Sequence, residues 1–221
     1  MDSRQLIKYS NEKILDYIKT NQIAKLHLGC GNSIVNGWLN TDIRITEDRL
    51  KNGVVFLDAS LPFNIPDNSF DYIFSEHMFE HLTYKGGKNM IKECYRILKP
   101  GGVIRISTPD LEFLIDLYLH PEKEINKAYI EFDAKRTKQP EDPIYAINHF
   151  HTDWGHKIVY DQKSLTNLLS QSGFKNIYRC EVGKSEYYYL NNLENHHKHF
   201  EELGCSYDFN KLQSMVIEAQ K

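Results

Sequence analysis

Cysteine is scarce in this sequence: 221 residues hold four, Cys30, Cys94, Cys180 and Cys205, and no two form a CxxC pair. That excludes a disulfide-stapled scaffold and a cysteine zinc finger, and makes a reducing, cytoplasmic setting the expectation. Long apolar runs are missing as well. No stretch approaches the ~20 residues of a membrane-spanning helix, and Met1 is followed by polar and charged residues, not by a signal peptide. Charge of one sign is missing too. With 27 Lys+Arg against 30 Asp+Glu the formal net charge is -3, so no broad basic surface is available to neutralise nucleic-acid phosphates. Twelve glycines and seven prolines are too few for a collagen-like or low-complexity chain. One folded domain with a sizeable insertion fits these limits, and it is long enough to bury a core unaided. Two residue types are abundant instead. There are 14 tyrosines and 10 histidines, and nine of those histidines lie beyond residue 75.

Ile7, Ile14 and Ile18, with Leu15 beside them, form an amphipathic stripe that predicts a helix over residues 3–20. Such a helix covers a sheet edge or closes over a ligand. Short strands are predicted at 25–28, running into Gly29-Cys30-Gly31, at 38–40, ending at Thr41-Asp42, at 54–57, ending at Asp58, and at 70–74, ending at Ser75. Met90, Cys94 and Leu98 mark a helix over 87–98, stopped by Pro100-Gly101-Gly102. A fifth strand follows at 103–107. Leu165, Leu168 and Leu169 mark a helix over 163–172 with Gly173 as its C′ residue, and 175–182 reads as a strand. Residues 215–219 suit a strand or a helix equally. Short strands alternating with helical or turn segments point to a mainly parallel α/β sheet. The stretch 111–160 differs, being rich in Tyr, His and charge and broken by Pro121, Pro140 and Pro143.

Ligands of open α/β sheets bind beyond the carboxyl ends of the strands, and three markers fall there. Gly29-x-Gly31 permits a tight turn and close backbone approach. Asp42, 11 residues beyond Gly31, is placed to accept hydrogen bonds from two ribose hydroxyls, and Asp58 from the exocyclic amine of a base. A nicotinamide fingerprint is disfavoured because its third glycine would fall at Ile34, and no GKS or GKT follows to make a P-loop. Capping of a turn or helix is the plain alternative for both aspartates.

The ordered blocks Leu26-His27-Leu28-Gly29-Cys30-Gly31, Asp42, Asp58-Ala59 with Leu61-Pro62-Phe63, Pro66-Asp67-Asn68-Ser69-Phe70-Asp71 and Arg96-Ile97-Leu98-Lys99-Pro100-Gly101-Gly102 resemble the class I S-adenosylmethionine-dependent methyltransferases. The resemblance covers roughly 25–182 apart from 111–160. It implies a Rossmann-like three-layer α/β/α sandwich with a mostly parallel seven-stranded sheet, built as a single domain over 1–221. It implies S-adenosyl-L-methionine as cofactor, bound by Leu28, Gly29, Cys30, Gly31, Asp42, Ile43, Asp58, Ala59 and Ser75. One departure stands out. Only residues 32–37 separate the glycine motif from the second strand, so the family's first helix is short or missing. The compact Gly37-Trp38-Leu39-Asn40-x-Asp42 arrangement, with His151–His156 and Tyr160-Asp161, resembles a bacterial subgroup linked to sugar and surface-polysaccharide biosynthesis.

Methyl transfer from a sulfonium needs the acceptor aligned in line and, for a hydroxyl, a general base. His77, just beyond the fourth strand, is one acceptor-side candidate. Glu80-His81 reads as architectural. His149, His151, Asp153 and His156 form the densest cluster. An extended segment would put His151 and Asp153 on one face, as a base oriented by a carboxylate or as metal ligands. His77, His151, Asp153 and His156 are therefore the expected catalytic residues, and no residue is assigned as a metal ligand. His196, His197 and His199 look metal-like by composition but lack the helical spacing of four, and read as solvated surface. The expected reaction is O-methylation of a small sugar-like or nucleotide-sugar acceptor, with 111–160 as lid or acceptor-binding insertion. N-methylation of an amino sugar or small amine, and a non-catalytic donor-binding scaffold, are the alternatives. The expected partner is a small-molecule substrate, with no nucleic acid and no membrane span, and a homodimer is allowed.

Overall fold

Strand β1 (Lys25–Leu28) sits near the middle of a seven-stranded sheet. The other strands are β2 (Leu39–Asp42), β3 (Val55–Phe56), β4 (Phe70–Glu76), β5 (Leu98–Pro109), β6 (Lys175–Cys180) and β7 (Ser214–Gln220). Their spatial order is β3-β2-β1-β4-β5-β7-β6, parallel throughout except that β7 runs antiparallel to both its neighbours. The computed structural model describes residues 2–203 and 206–221, and of residues 199, 200 and 203 only the backbone. Cys205 and the His199 side chain lie outside that description. No helix of the described residues is long and apolar enough to cross a membrane.

Side-chain alternation along the strands supplies two cores. Leu26, Leu28, Ile73, Ile104 and Ile106 join one large cluster with Met90, Ile91, Cys94 and Ile97 of helix α3 (Tyr84–Ile97) and Leu165, Leu168 and Leu169 of helix α7 (Gln162–Gln171). Phe74 and Val103 point the other way, onto Trp38, Leu190 and Leu193. Part of the polar stretch after residue 186 thus covers a face of the sheet. Residues 215–219 resolve as strand, because β7 pairs with β5 and β6 along nearly its full length.

No helix lies between β1 and β2; the link is made of turns and bends. Helix α1 (Ser3–Thr20) covers that side of the sheet, at the β3 edge. Its Ile14 enters the large core, its Ser10 hydroxyl accepts from the Phe56 N–H at 2.9 Å, and the Tyr17 hydroxyl donates to the Gly37 carbonyl at 3.0 Å. A short helix α2 (Glu47–Lys51) follows β2.

The segment 111–160 folds as three helices, α4 (Leu111–Leu119), α5 (Glu124–Thr137) and α6 (Pro143–Thr152). They share a core of Phe113, Leu114, Leu117, Tyr129, Ile130, Ala146 and Phe150, joined by Phe209 from helix α8 (Tyr207–Gln213). The extended reading of 149–153 is therefore corrected. Asp142 caps the Ile144 N–H and Pro143 opens the first turn, which is a helix start.

Candidate active site

The sequence motifs converge at the carboxyl ends of β1, β2 and β4. Gly29 ends β1 with φ +66, and a Cβ there would lie 2.1 Å from Met78 Cγ, so the motif's first glycine is demanded by packing as well as by conformation. Gly31, at φ +54, has nothing within 4 Å of where a Cβ would be, which leaves open space over the loop. Its N–H donates to Asp42 Oδ2 at 2.8 Å. Asp42 Oδ1 accepts from the Arg44 N–H at 2.7 Å and faces Arg49 Nη1 at 3.2 Å. Arg49 in turn reaches Asn32 Oδ1, and so ties the glycine loop to the β2 end. Asp58 Oδ1 accepts from both the amide and the hydroxyl of Ser60, an Asx-type turn. Ile43 is exposed, Leu28 and Ala59 are buried, and the buried Ser75 hydroxyl has no hydrogen-bond partner. Burial first, then the Asp42 charge, push the Cys30 thiol up to about 12, which makes it a packing residue and not a nucleophile. Open space at Gly31, two carboxylates at neighbouring strand ends and an orphaned hydroxyl on the next strand fit an adenosyl methyl donor.

Beyond β4 the chain turns at His77, a non-glycine residue at φ +45. Such a backbone is uncommon outside glycine and tends to occur at functional sites. Its Nε2 lies 2.9 Å from Ser214 Oγ, its Nδ1 3.5 Å from Glu80 Oε1, and its ring stacks on His196 at 3.9 Å. His196 is brought there by Glu76, whose two carboxylate oxygens accept the N–H groups of Asn195 and His196 at 3.0 and 2.9 Å. Burial holds the Glu76 carboxyl above its usual range, against the opposing pull of His77. His196 and His197 are consequently half-buried and buried, so their reading as solvated surface is corrected.

A cavity of about 90 Å³ lies between this turn and helices α5 and α6. His77 and His156 line it. His151 and Asp153 do not. His151 sits exposed on the last turn of α6, and Asp153, at the helix C-cap, faces Arg136 at 3.6 Å. The physical reason is periodicity: two residues along a helix turn the side chain to the far side, whereas two along a strand return it to the same face. The inward member of α6 is His149. Its Nδ1 lies 2.5 Å from Asp133 Oδ2, while Asp133 Oδ1 accepts from Arg136 Nη2 at 2.8 Å. With a carboxylate oxygen facing Nδ1, the contact suits the imidazole tautomer that donates from Nδ1 and leaves Nε2 as the acceptor. A histidine oriented by a carboxylate is thus present, formed by His149 and Asp133. Sequence reasoning missed Asp133 and Arg136. Their signal was the spacing of Tyr129, Phe132, Asp133 and Arg136, all on the cavity wall at one helical face.

Glu80 is completely buried one turn from His77. Its Oε2 accepts from Thr108 Oγ1 at 3.0 Å, and its backbone carbonyl accepts the N–H groups of Lys157 and Ile158 at 2.7 and 3.2 Å. That clamp fixes the loop carrying His156. Burial pushes the His156 imidazole below its usual value, partly opposed by the Glu80 charge. Phe150 is core, while Trp154 stands at the rim with the Arg136 guanidinium 4.9 Å over its ring.

Residues 26–106 match the family described as a methyltransferase domain. A polyamine aminopropyltransferase from Prochlorococcus marinus is 29% identical over 134 residues, 58% of this chain and 43% of that one. A probable S-adenosylmethionine-dependent methyltransferase from Mycolicibacterium smegmatis is 40% identical over 52 residues, 24% of this chain and 19% of that one. The chain therefore spans less than half the length of either curated relative. A SAM dependent methyltransferase structure from Archaeoglobus fulgidus aligns with a TM-score of 0.51 at 21% identity, over 99% of this chain and 95% of that one. The likeness is one of fold, the Rossmann-like class I methyltransferase fold.

Proposed function

We propose, from the match of residues 26–106 to the family described as a methyltransferase domain, that the protein transfers a methyl group from S-adenosyl-L-methionine to a hydroxyl of a small, sugar-like acceptor. The observation that carries this reading is the His149–Asp133 pair on the wall of a cavity whose floor, His77, is one residue from the end of β4.

The donor supplies an electrophilic methyl carbon on a sulfonium. Asp42 and Asp58 hold its ribose and base, Gly31 leaves room for its chain, and Ser75 provides a hydroxyl beneath. His149 Nε2 takes the proton of the acceptor hydroxyl, and Asp133 stabilises the imidazolium that results. Helices α5 and α6 form the outer wall. Trp154 and Tyr129 offer flat apolar surfaces suited to a sugar face, with Arg136 and the histidines for its hydroxyls. A nucleotide-sugar or polysaccharide precursor in the cytoplasm is the acceptor class this wall favours.

Purified protein incubated with methyl-labelled S-adenosylmethionine and a panel of sugars, nucleotide sugars, amines and carboxylates tests the reading. Label transferred to a sugar oxygen is the expected result. Transfer to amines alone would replace the acceptor class, and product mass separates methyl from aminopropyl transfer. Donor binding without transfer to any member would favour a scaffold and overturn the proposal.

A further inference from the structure

The cavity holds a second group of side chains that proton transfer through His149 does not use. Glu80, His81 and His156 each offer a ligand atom, and these atoms lie within 4.8 Å of one another. Glu80 has one oxygen anchored on Thr108, but Oε1 is buried with no hydrogen bond. That oxygen is 3.9 Å from His156 Nε2. His156 Nδ1 is likewise buried without a hydrogen bond. The nearest donors to Glu80 Oε1 are His77 Nδ1 at 3.5 Å and His156 Nε2, both too distant for a good hydrogen bond, and a cation is a partner that would satisfy such a buried carboxylate oxygen.

We propose that Glu80, His81 and His156 bind a divalent first-row transition ion such as zinc, manganese or iron(II) at the inner end of the acceptor cavity. Two imidazoles and one carboxylate select this class over calcium or magnesium, which take oxygen ligands. Ligands at about 2.1 Å from an ion stand roughly 3–3.5 Å apart, so the widest separation must close by about an ångström. His81, the exposed member, provides most of that movement, and a small rotation of the His156 ring closes the remaining few tenths of an ångström to Glu80, whose other oxygen stays anchored on Thr108. Three protein ligands leave coordination positions open toward the cavity.

The catalytic part of the inference rests on the proposed methyl transfer. The acceptor hydroxyl oxygen binds an open position and becomes more acidic. Its proton goes to His149 Nε2. The oxygen then forms its bond to the methyl carbon as the carbon–sulfur pair returns to sulfur, so the sulfonium becomes a neutral thioether and no electron is gained or lost overall.

Protein stripped with a chelator and titrated with Co²⁺ is the test, followed by visible absorption and by calorimetry with Zn²⁺. One equivalent is expected to bind, with His-ligand absorption bands. Affinity should fall at least tenfold in His81→Gln and His156→Gln and stay unchanged in His120→Gln. His81 is exposed, so its variant separates ligand loss from misfolding. Absence of stoichiometric binding, or equal binding by His81→Gln and His156→Gln, overturns the site. Stoichiometric binding with methyl transfer unaffected by stripping keeps the site and overturns its catalytic role. Binding in a protein that methylates nothing upholds the site and fails the proposed function alone.

Discussion

Arg105 Nε lies 2.5 Å from Glu194 Oε1, with neither side chain reaching solvent. The guanidinium also holds Glu218 through Nη1 and the Lys184 carbonyl at 3.0 Å. One cation on β5 thus fastens β7 and the covering segment after residue 186 to the sheet. Replacing it strands two buried carboxylates, and such losses cost about 3–5 kcal/mol. Arg105→Met should lower stability by that order in urea unfolding. Pairing it with Glu218→Leu should recover part of the loss. A loss below about 1 kcal/mol would show that the network contributes little.

His27 gives the protein an acid-sensitive point. It is buried on β1, with Nδ1 3.1 Å from Asn40 Oδ1 and its ring against Phe74, and burial lowers its pKa to about 4, opposed by Asn40 and the Asp42 charge. Between that value and the ordinary 6.5, the unfolded chain binds a proton that the native chain does not. Stability therefore rises with pH across this window, the effect vanishing above it and complete below it. The cost of acidification through the window is about 3 kcal/mol. Unfolding free energies at pH 7 and 4.5 should differ less in His27→Phe than in the parent; equal differences would remove His27 as the cause.

Asp42→Asn removes the negative charge proposed to receive two ribose hydroxyls. Hydrogen bonds to charged groups contribute about 1.5–3 kcal/mol, so affinity for S-adenosylhomocysteine should fall roughly tenfold to a hundredfold by calorimetry. An unchanged dissociation constant would place the ribose elsewhere.

His149→Gln and His151→Gln separate the two assignments of the base. Loss of a general base lowers kcat by about 10²–10⁴. His149→Gln should show that fall with little change in KM, while His151, on the exposed side of α6, should tolerate replacement. The reverse pattern would restore the extended-segment assignment.

The parts of the site that were legible in the sequence are local. Gly29, Gly31, Asp42 and Asp58 lie at or just beyond the ends of short strands, and position in the chain is enough to place them there. His149 was visible, but its orientation depended on whether 149–153 is helix or strand, and Asp142-Pro143 is the helix-start signal that decides it. Asp133 lies 16 residues from His149, and Glu76 reaches Asn195 and His196 across 119 and 120 residues. Pairings at those separations are set by tertiary packing and leave no spacing to read. His196 looked solvated for the same reason, since Glu76 on β4 draws its backbone in.

Strand β7 separates β5 from β6, although residues 214–220 come after both in the chain. During synthesis β6 has no neighbour to pair with, and β5 keeps an open edge, until that stretch has left the ribosome. The nascent protein must carry these unpaired backbone groups, and the charge of Arg105, from the synthesis of each strand until residues 214–220 emerge, which makes this interval one of aggregation risk.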